Sequence, residues 1–286
     1  MYRGNTGQGG LSGIIAYHDE KLVRVVRENV LPGRKLVVVS PHTNKNYCWP
    51  EFFKSITRLP LDDAHVVLYD NSQDPKVSAK LLKLATDCRS STLIRDLNPP
   101  LIIEDVHDND KLMKRCSAVY EQLYGMIPKT AASLIVNHED DIQVSAAGVE
   151  RMLANFSHYR EIQTAVTDCR CRRERLLGGE KSAPIICNFH EVNRVGGGTE
   201  TRYEFERCKP KTFGIEAVGG AHMGFWITRK ECLAEVGMTS IPIDELEMGH
   251  DFQYGLRVNQ AGGVFAVDWS VRAKHWCRID GRKVAI

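Results

Sequence analysis

The stretch "KLVVVSPHTNKN", residues 35–46, decides the fold class of this 286-residue chain. Its first half is a short β-branched run, which is typical of a strand that is buried on both faces of a parallel sheet. Its second half is polar, as expected where a strand runs into a loop. A helix-like segment, "WPEFFKSITRL" at 49–59, follows directly. The stretch therefore predicts the first strand, loop and helix of an α/β fold.

The same alternation continues along the first half of the chain. Further strands are predicted at "HVVLYDN" (65–71), "TLIRDL" (92–97) and "SLIVNH" (133–138). The other predicted helices are "VSAKLLKLATDC" (77–88), "DNDKLMKRCSAVYEQLYGMI" (108–127) and "SAAGVERMLANF" (145–156). Strands that alternate with helices pair in parallel through right-handed crossovers. The sequence thus predicts an α/β fold with a mostly parallel central sheet flanked by helices.

Composition sets broad limits on the class of protein. Hydrophobic residues at 43% and charged residues at 26% are ordinary for a soluble domain, and a net charge of +2 gives no global reason to bind nucleic acid or membrane. No apolar run approaches the roughly 20 residues of a spanning helix. Residues 1–34 lack a signal-peptide pattern and are interpreted as a flexible lead-in. Nine cysteines, an odd number, favour reduced thiols and a cytoplasmic protein.

Three adjacent acids, Glu139, Asp140 and Asp141, follow the fourth predicted strand. Neighbouring carboxylates repel one another, so they require solvent or a cation. Hard carboxylate oxygens suit Mg²⁺ or Mn²⁺, which substrate phosphates complete. The alternative is a solvated turn in which Asp141 or Ser145 caps the next helix. Position favours the cation, because ligands of such sheets lie beyond the carboxyl ends of the strands, where the polar loops 40–46 and 70–74 also lie.

The strand–helix series, the Asp-containing loop after the second strand and this acidic motif resemble a GT-A glycosyltransferase of the family-two-like group, over residues 35–160 and 215–276. The resemblance implies a Rossmann-like GT-A fold. It also implies a hexosyl- or pentosyltransferase that moves a sugar from a nucleoside diphosphate, foremost a UDP-sugar, to an acceptor hydroxyl. Mn²⁺ or Mg²⁺ would bind the donor diphosphate, with Asp141 as the main ligand and Glu139 near the ribose or a metal-bound water. Asp140 is assigned to donor binding and is the most expendable of the three.

The resemblance also assigns residues of the first two loops to the donor nucleoside. Asp70, after the second strand, is the acid that contacts the nucleoside. Pro41, His42 and Thr43 lie in the first loop, which holds the base and the ribose.

Two segments of the second half resemble the remaining parts of the family. In "GGAHMGFWITRKECL" (219–233), Gly219 and Gly220 would lie against the donor sugar, although a plain turn before a strand is the alternative. In "MGHDFQYGLRVNQAGG" (248–263), His250 replaces the usual first acid of a pair and Asp251 is the general base of an inverting reaction. Asp251 could instead be a helix N-terminal acid favoured by the dipole.

Aromatic residues of the second half have two interpretations each. His275 completes the metal site in the family pattern, or is an ordinary surface or core histidine. Trp226, Trp269 and Trp276 could stack on sugar faces, or belong to the core. Trp226 and His250 are the predicted acceptor-side residues.

Residues 166–214 are predicted to be an insertion, with a hairpin formed by "PIICNFHEVN" and "TRYEFERCK". A zinc site is one possible use of its ligand-type side chains: Cys169, Cys171, Cys187, His190 and Cys208. An anionic acceptor, the donor diphosphate or plain solvation could account for its arginines: Arg170, Arg172, Arg173, Arg175 and Arg194.

The predicted organisation is the lead-in at 1–34, a nucleotide-sugar-binding half at 35–160 and an acceptor-side half at 161–286 that contains the insertion. Two other functions compete. The first is a nucleotidyltransferase, which normally carries a Gly-rich basic loop after its first strand. Residues 40–46 do not form such a loop. A catalytically silent or nucleic-acid-directed protein of the same fold, including a glycosyltransferase that acts on modified bases, is the second. The sequence does not determine whether the acceptor is a glycan, a lipid-linked molecule, a protein or a nucleic acid.

Overall fold

A computed structural model describes residues 14–18, 21–42, 45–72, 74–96, 119–120, 123–124, 127, 132–171, 183–184, 186–192, 202–238, 250–279 and 282–285. The chain divides into two compact units, Met1–Ile142 and Gln143–Ile286. The boundary differs from the predicted one after residue 160. The reason is packing, because the helix that starts at Ala146 contacts strands of the second unit.

In the described part of the first unit, six strands and two helices have defined bounds. The strands are β1 (Ile14–His18), β2 (Lys21–Asn29), β3 (Leu36–His42), β4 (Ala64–Asp70), β5 (Ser91–Asp96) and β6 (Leu134–His138). The helices are α1 (Trp49–Ile56) and α2 (Pro75–Asp87), with 3-10 turns at Asn46–Cys48 and Leu61–Asp63. Within the predicted helix 108–127, residues 119–120 and 123–124 are helical and Ile127 lies in a bend, and its other residues lie outside the described part.

The strands of this unit form one sheet in the order β1-β2-β5-β4-β3-β6. Strand β3 is parallel to both β4 and β6, and β4 is parallel to β5. The predicted mostly parallel sheet is therefore confirmed. The lead-in interpretation fails for Ile14–His18 and Lys21–Asn29, because β2 pairs antiparallel with β5 and β1 pairs with β2. Backbone groups at the open side of β5 need partners, and β2 supplies them.

The core of this unit is the apolar centre of β3 and β4. Val37, Val38 and Val39 are 0% exposed, and so are Val66 and Val67. Burial on both faces explains why these strands are continuous apolar runs rather than alternating ones. The predicted apolar face of α2 is buried as well: Leu81, Leu84, Ala85 and Cys88.

The second unit begins within the short strand β7 (Ile142–Gln143), followed by helix α3 (Ala146–His158). Its further strands are β8 (Ile162–Cys171), β9 (Ala183–Pro184), β10 (Ile186–Val192), β11 (Arg202–Arg207), β12 (Ile215–Ala217), β13 (Gly220–Ala221), β14 (Phe225–Arg229), β15 (Val264–Ile279) and β16 (Arg282–Ala285). Its other helices are α4 (Lys230–Val236) and α5 (His250–Gln260). No helix in the described part of the chain is long and apolar enough to cross a membrane.

Two sheets organise this unit. One has the order β14-β8-β15-β12, with β8 and β15 parallel, and the other has the order β11-β10-β13. The predicted hairpin is confirmed, because β10 and β11 pair from Cys187↔Arg207 to Val192↔Arg202. The insertion starts later than residue 166, since β8 runs to Cys171 and belongs to the larger sheet.

Helix α3 is attached to β15 through a buried carboxylate. Ser145 caps the helix by accepting a hydrogen bond from the backbone N–H of Gly148. It is one of the two residues that the sequence offered as caps. Asp268 is 0% exposed. Its Oδ2 accepts hydrogen bonds of 2.8 Å from Arg151 Nε and from Asn155 Nδ2. The buried charge is thereby paired with groups from one helix.

Helix α5 lies against the segment around β13 at very short range. A Cβ atom on Gly255 would lie 2.5 Å from the carbonyl oxygen of Gly219 and 2.8 Å from the Cα atom of Gly220. Asn259 Nδ2 also donates to the Gly219 carbonyl, at 3.1 Å. The helix ends at Gln260, and Gly262 in the turn that follows has a φ of 79°, which suits a residue without a side chain.

We expect Gly255→Ala to lower the free energy of unfolding by about 1–3 kcal/mol, because its methyl group meets backbone atoms that cannot rotate away. Urea unfolding measures the change. Gln260→Ala, at an exposed position of the same helix, is the matched control and should change stability little. Equal stability of the two variants would contradict the close contact.

Candidate active site

The order of the strands in the first unit creates a point where ligands of parallel sheets bind. From β3, the chain adds β4 and then β5 on one side, and β6 returns to the other side of β3. The order reverses between β3 and β6, and ligands bind outside the carboxyl ends of strands at such a reversal. Strands β3, β4 and β6 end there in His42, Asp70 and His138.

His42 and Asp70 form the floor of this edge. They are register partners in β3 and β4, and their exposed fractions are 1% and 2%. The backbone N–H of Asn71 donates to the His42 carbonyl at 3.0 Å, and that of Ser72 donates to Asp70 Oδ1 at 2.9 Å. Pro41 is also buried within β3. The structure thus brings Pro41, His42 and Asp70 together, and Thr43 lies outside the described residues.

The hydrogen bonds of Ser40 decide the tautomer of His42. Ser40 Oγ donates to the carbonyl oxygen of His138 at 2.6 Å, so it accepts from His42 Nε2 at 3.3 Å. Nδ1 of His42 is then an acceptor, and within the described part of the chain it has no hydrogen-bond partner. Burial lowers the pKa of His42 to about 3, against the opposing effect of Asp70. A neutral imidazole with a buried acceptor nitrogen therefore lies beside a carboxylate.

The acidic turn after β6 surrounds the ammonium group of a lysine. Lys45 Nζ lies 2.7 Å from Asp141 Oδ2 and 3.3 Å from Asp140 Oδ1. Both aspartates are buried, at 2% exposed for Asp140 and 4% for Asp141. Burial alone would lower the pKa of Lys45, but Asp141, Asp140 and Glu139 raise it well above its ordinary value. Lys45 is therefore a charged counter-ion of the turn, and Asp140 is as deeply engaged as Asp141.

His138 and Glu139 fix the start of this turn. His138 Nδ1 donates to the Glu139 carbonyl at 3.0 Å, so Nε2 accepts from Ser55 Oγ of α1 at 2.8 Å. Burial lowers the pKa of His138 to about 4. The Glu139 side chain is half-buried and accepts a hydrogen bond from the Tyr120 hydroxyl.

The acid pair fits a hard cation. Two carboxylate oxygens from neighbouring residues converge on one position, which a cationic group, Lys45 Nζ, occupies. Mg²⁺ and Mn²⁺ accept one or two carboxylates when waters and substrate phosphates complete the shell. Among the residues that the structure describes, no group of three or more His, Cys, Asp or Glu side chains is arranged to hold a metal ion. Asp140 and Asp141 therefore suit a cation that the substrate helps to bind.

Several predicted residues meet in the second unit. Asp251, in the first turn of α5, is 8% exposed and accepts from the backbone N–H of Phe252 at 3.1 Å. Burial, Cys208 and Asp251, in that order, raise the pKa of Cys187 to about 12. The backbone N–H of Gly219 donates to the Cys187 carbonyl at 2.9 Å. Asp251 and Gly219 thus both neighbour β10, and Gly220 pairs with that strand.

The histidines of this unit lie on different elements. His250 begins α5 and is half-buried. The ring of His275, in β15, stacks on the ring of His222 with centroids 5.5 Å apart and an interplanar angle of 26°. His275 belongs to the second unit and the acidic turn to the first.

Two of the predicted sugar-stacking tryptophans are core residues. Trp226 is 1% exposed, and its ring lies 5.6 Å from that of Tyr254. Trp269 is 3% exposed, and its Nε1 donates to Glu216 at 2.7 Å. The acceptor role predicted for Trp226 is corrected, because no face of its ring is open to a sugar. Trp276 is half-buried.

The described side chains of the insertion do not support the alternative of a zinc site. Cys169 and Cys187 are buried and Cys208 is half-buried, and none of the three belongs to a metal-binding group among the residues described. The side chains of Cys171 and His190 lie outside the description. So do the side chains of the arginines of this segment: Arg170, Arg172, Arg173, Arg175 and Arg194.

Lys45 is the main residue of the site that sequence reasoning missed. It lies in the polar loop "SPHTNKN", in which the predicted site residues are Pro41, His42 and Thr43. The signal was available, because a lone cation in the loop after β3 faces the same edge as three acids after β6. His138 was predicted only as the end of a strand, yet it links α1 to the acidic turn.

Comparison with solved structures identifies the fold. A crystal structure of GalNAc-T7 with UDP, GalNAc and Mn²⁺ is similar, with a TM-score of 0.55 and 15% identity over 86% of this chain and 44% of that one. A crystal structure of residues 1–349 of TarS from S. aureus is also similar, with a TM-score of 0.44 and 11% identity over 82% of this chain and 57% of that one. This chain has the GT-A fold and spans less than half the length of the GalNAc-T7 chain. No known protein-family profile matches the sequence, and no curated protein sequence does.

Buried neutral histidines make the stability of the chain depend on pH. Burial holds the pKa of His42 at about 3 and that of His138 at about 4, whereas an unfolded histidine takes up a proton near pH 6.5. Between pH 6.5 and 4 the unfolded chain therefore binds more protons, so stability falls as pH falls. We expect a loss of about 1.4 kcal/mol per pH unit for each such histidine.

Urea unfolding between pH 7 and pH 4.5 tests this dependence. His138→Gln retains polar hydrogen-bonding groups and removes one titrating site, so its stability should fall less steeply with pH than that of the wild type. His158→Gln, at an exposed position at the end of α3, is the control and should keep the wild-type slope. A wild-type slope in His138→Gln would contradict the assignment.

Proposed function

We propose that the chain is a metal-dependent glycosyltransferase that moves a sugar from a nucleoside diphosphate, foremost a UDP-sugar, to an acceptor hydroxyl. The observation that carries the proposal is the convergence of Asp140 and Asp141 on one cationic position at the point where the strand order reverses. A fold alone hosts many functions, so the chemistry of this edge has to supply the argument. Anionic oxygens that hold a cation beside a buried polar floor suit a nucleotide diphosphate.

The first unit would bind the donor. Asp141 would be the main ligand of Mn²⁺ or Mg²⁺, with Asp140 and Glu139 beside it. A bound divalent cation supplies Lewis-acid stabilisation of the charge on the departing diphosphate. Asp70 and the acceptor nitrogen of His42 would receive N–H or O–H groups of the nucleoside, because both side chains are acceptors that burial shields from water.

The second unit would supply the base and contacts to the sugar. Asp251 would accept the proton of the acceptor hydroxyl while the acceptor oxygen bonds to the anomeric carbon and the bond to the diphosphate breaks, with inversion. Gly219 and Gly220 would offer backbone to the donor sugar, since they carry no side chain and α5 holds them closely. His250 stays a predicted acceptor-side residue, and His275 a predicted metal ligand, on the family resemblance.

The first test is donor binding. We expect UDP to bind the wild type in the presence of Mn²⁺ and to lose at least about tenfold in affinity when a chelator removes the metal. Asp141→Asn should show the same loss with Mn²⁺ present, whereas Asp87→Asn, an exposed aspartate of α2, should not. Calorimetry with UDP, and a panel of nucleotide sugars scored for release of nucleoside diphosphate, provide the measurements. Undiminished UDP affinity in Asp141→Asn would remove the metal role from that residue.

The second test separates binding from turnover. We expect Asp251→Asn to bind UDP and Mn²⁺ as the wild type does and to lose about 10²–10⁴-fold in kcat, because an amide cannot take up the acceptor proton. Donor hydrolysis with water as acceptor is the assay when no acceptor is known. Retained turnover would indicate a different base or a retaining reaction, and Asp87→Asn serves again as the control.

A further inference from the structure

The Lys45 ammonium group occupies the position at which the acid pair would hold a metal. It lies within 3.3 Å of a carboxylate oxygen of Asp140 and within 2.7 Å of one of Asp141. The side chains of the two aspartates are 3% and 5% exposed, and that of Lys45 is 21% exposed. The cation that the turn requires is therefore already present as part of the chain.

Charge makes this lysine and a divalent ion mutually exclusive. One ammonium and two carboxylates leave a local charge of about −1, and the ammonium lowers the repulsion between the neighbouring acids. A divalent ion on the same oxygens would meet the ammonium at a separation of a few ångströms, where two positive charges repel strongly in a partly buried site. Lys45 must therefore withdraw its ammonium before the pair can coordinate metal.

The local structure allows the side chain to leave while its backbone stays in place. The Cys48 backbone N–H donates to the Lys45 carbonyl at 3.1 Å, and Cys48 Sγ lies 2.9 Å from that oxygen and 3.1 Å from the Asp140 carbonyl. These contacts hold the loop after β3 against the acidic turn. The ammonium, by contrast, sits on a flexible four-carbon stem and is partly exposed.

We propose that the Lys45 ammonium competes with the divalent cation for the carboxylates of Asp140 and Asp141. The diphosphate of the donor attracts the displaced ammonium to its own oxygens, and this attraction couples metal binding to nucleotide binding. The inference rests on the proposed function, because it takes the donor to be a nucleoside diphosphate. Lys45 is thus a positioning residue: it keeps the acid pair assembled without metal and makes the affinity for bare metal low. Metal and nucleotide then each raise the affinity of the other by the same factor.

The test compares Lys45→Gln, which removes the charge, with Lys45→Arg, which keeps it. Lys54→Gln, at an exposed position of α1, is the matched control. Binding of Mn²⁺ is followed by the paramagnetic resonance signal of the free ion, first without nucleotide and then with saturating UDP. We expect Lys45→Gln to bind bare Mn²⁺ about tenfold more tightly than the wild type. We also expect the enhancement of Mn²⁺ affinity by UDP to shrink by about fivefold in this variant, with Lys45→Arg and Lys54→Gln near the wild type.

Thermal unfolding with and without Mn²⁺ tests the same inference if the substitution lowers the stability of the protein. Lys45→Gln leaves neighbouring buried carboxylates without their ammonium, so its Tm should fall in buffer without metal. Mn²⁺ binds the folded form, so it should raise the Tm of Lys45→Gln by more than it raises that of the wild type, at matched ionic strength.

Three results would overturn the inference. In the first result, the wild type binds bare Mn²⁺ and Lys45→Gln binds it no more tightly. Lys45 is then a structural residue, and the proposed function stands. An undiminished enhancement by UDP in Lys45→Gln would overturn the coupling while also leaving the proposed function in place. If no variant binds Mn²⁺ even with UDP, the proposed metal-dependent transfer fails and the inference fails with it.

Discussion

The pairing of β3 with a parallel strand on each side is the constraint on which the first unit depends. Parallel pairing puts the carboxyl ends of β4, β3 and β6 at one edge of the sheet, and the register places His42 opposite Asp70. The loop that follows β3 then meets the turn that follows β6, although 98 residues separate Ser40 from the His138 carbonyl that it contacts. The described residues of the first unit that we propose for donor binding lie at this edge because the parallel strands end there.

A buried carboxylate needs a cationic or hydrogen-bonding partner, and two sites in this chain meet that requirement in different ways. Asp268 accepts hydrogen bonds from a guanidinium and an amide of α3, which are directional groups carried by a single helix. Such a site fastens a helix to a strand. Asp140 and Asp141 share one ammonium, which is compact, non-directional and carried on a flexible stem. In the second arrangement, the proposed release of the ammonium would need a movement of the Lys45 side chain alone.

The solved structures show the fold, and the chemistry of the site carries the proposed function. At 15% identity, the similarity to the GalNAc-T7 structure concerns the course of the chain. The fold does not supply the side chains of the proposed site, where a lysine lies between two aspartates. The chemistry therefore has to be argued from Lys45, His42, Asp141 and Asp251 rather than inherited from the fold.

The sequence by itself determined the strand–helix order of the first half, the buried character of β3 and β4 and the hairpin of β10 and β11, because these depend on periodicity and on contacts between near neighbours in the chain. It offered Asp141 and Ser145 as alternative helix caps, and the structure has Ser145. The sequence also located the acids, since their adjacency is visible without a structure. Only the tertiary structure decided that β2 extends the sheet, that Trp226 is core, and that Lys45 forms ion pairs with Asp140 and Asp141. The physical reason is sequence distance: Lys45 and Asp141 meet only after the chain has passed through β4 and β5 and β6 has paired with β3, and no local pattern records which loops will share an edge.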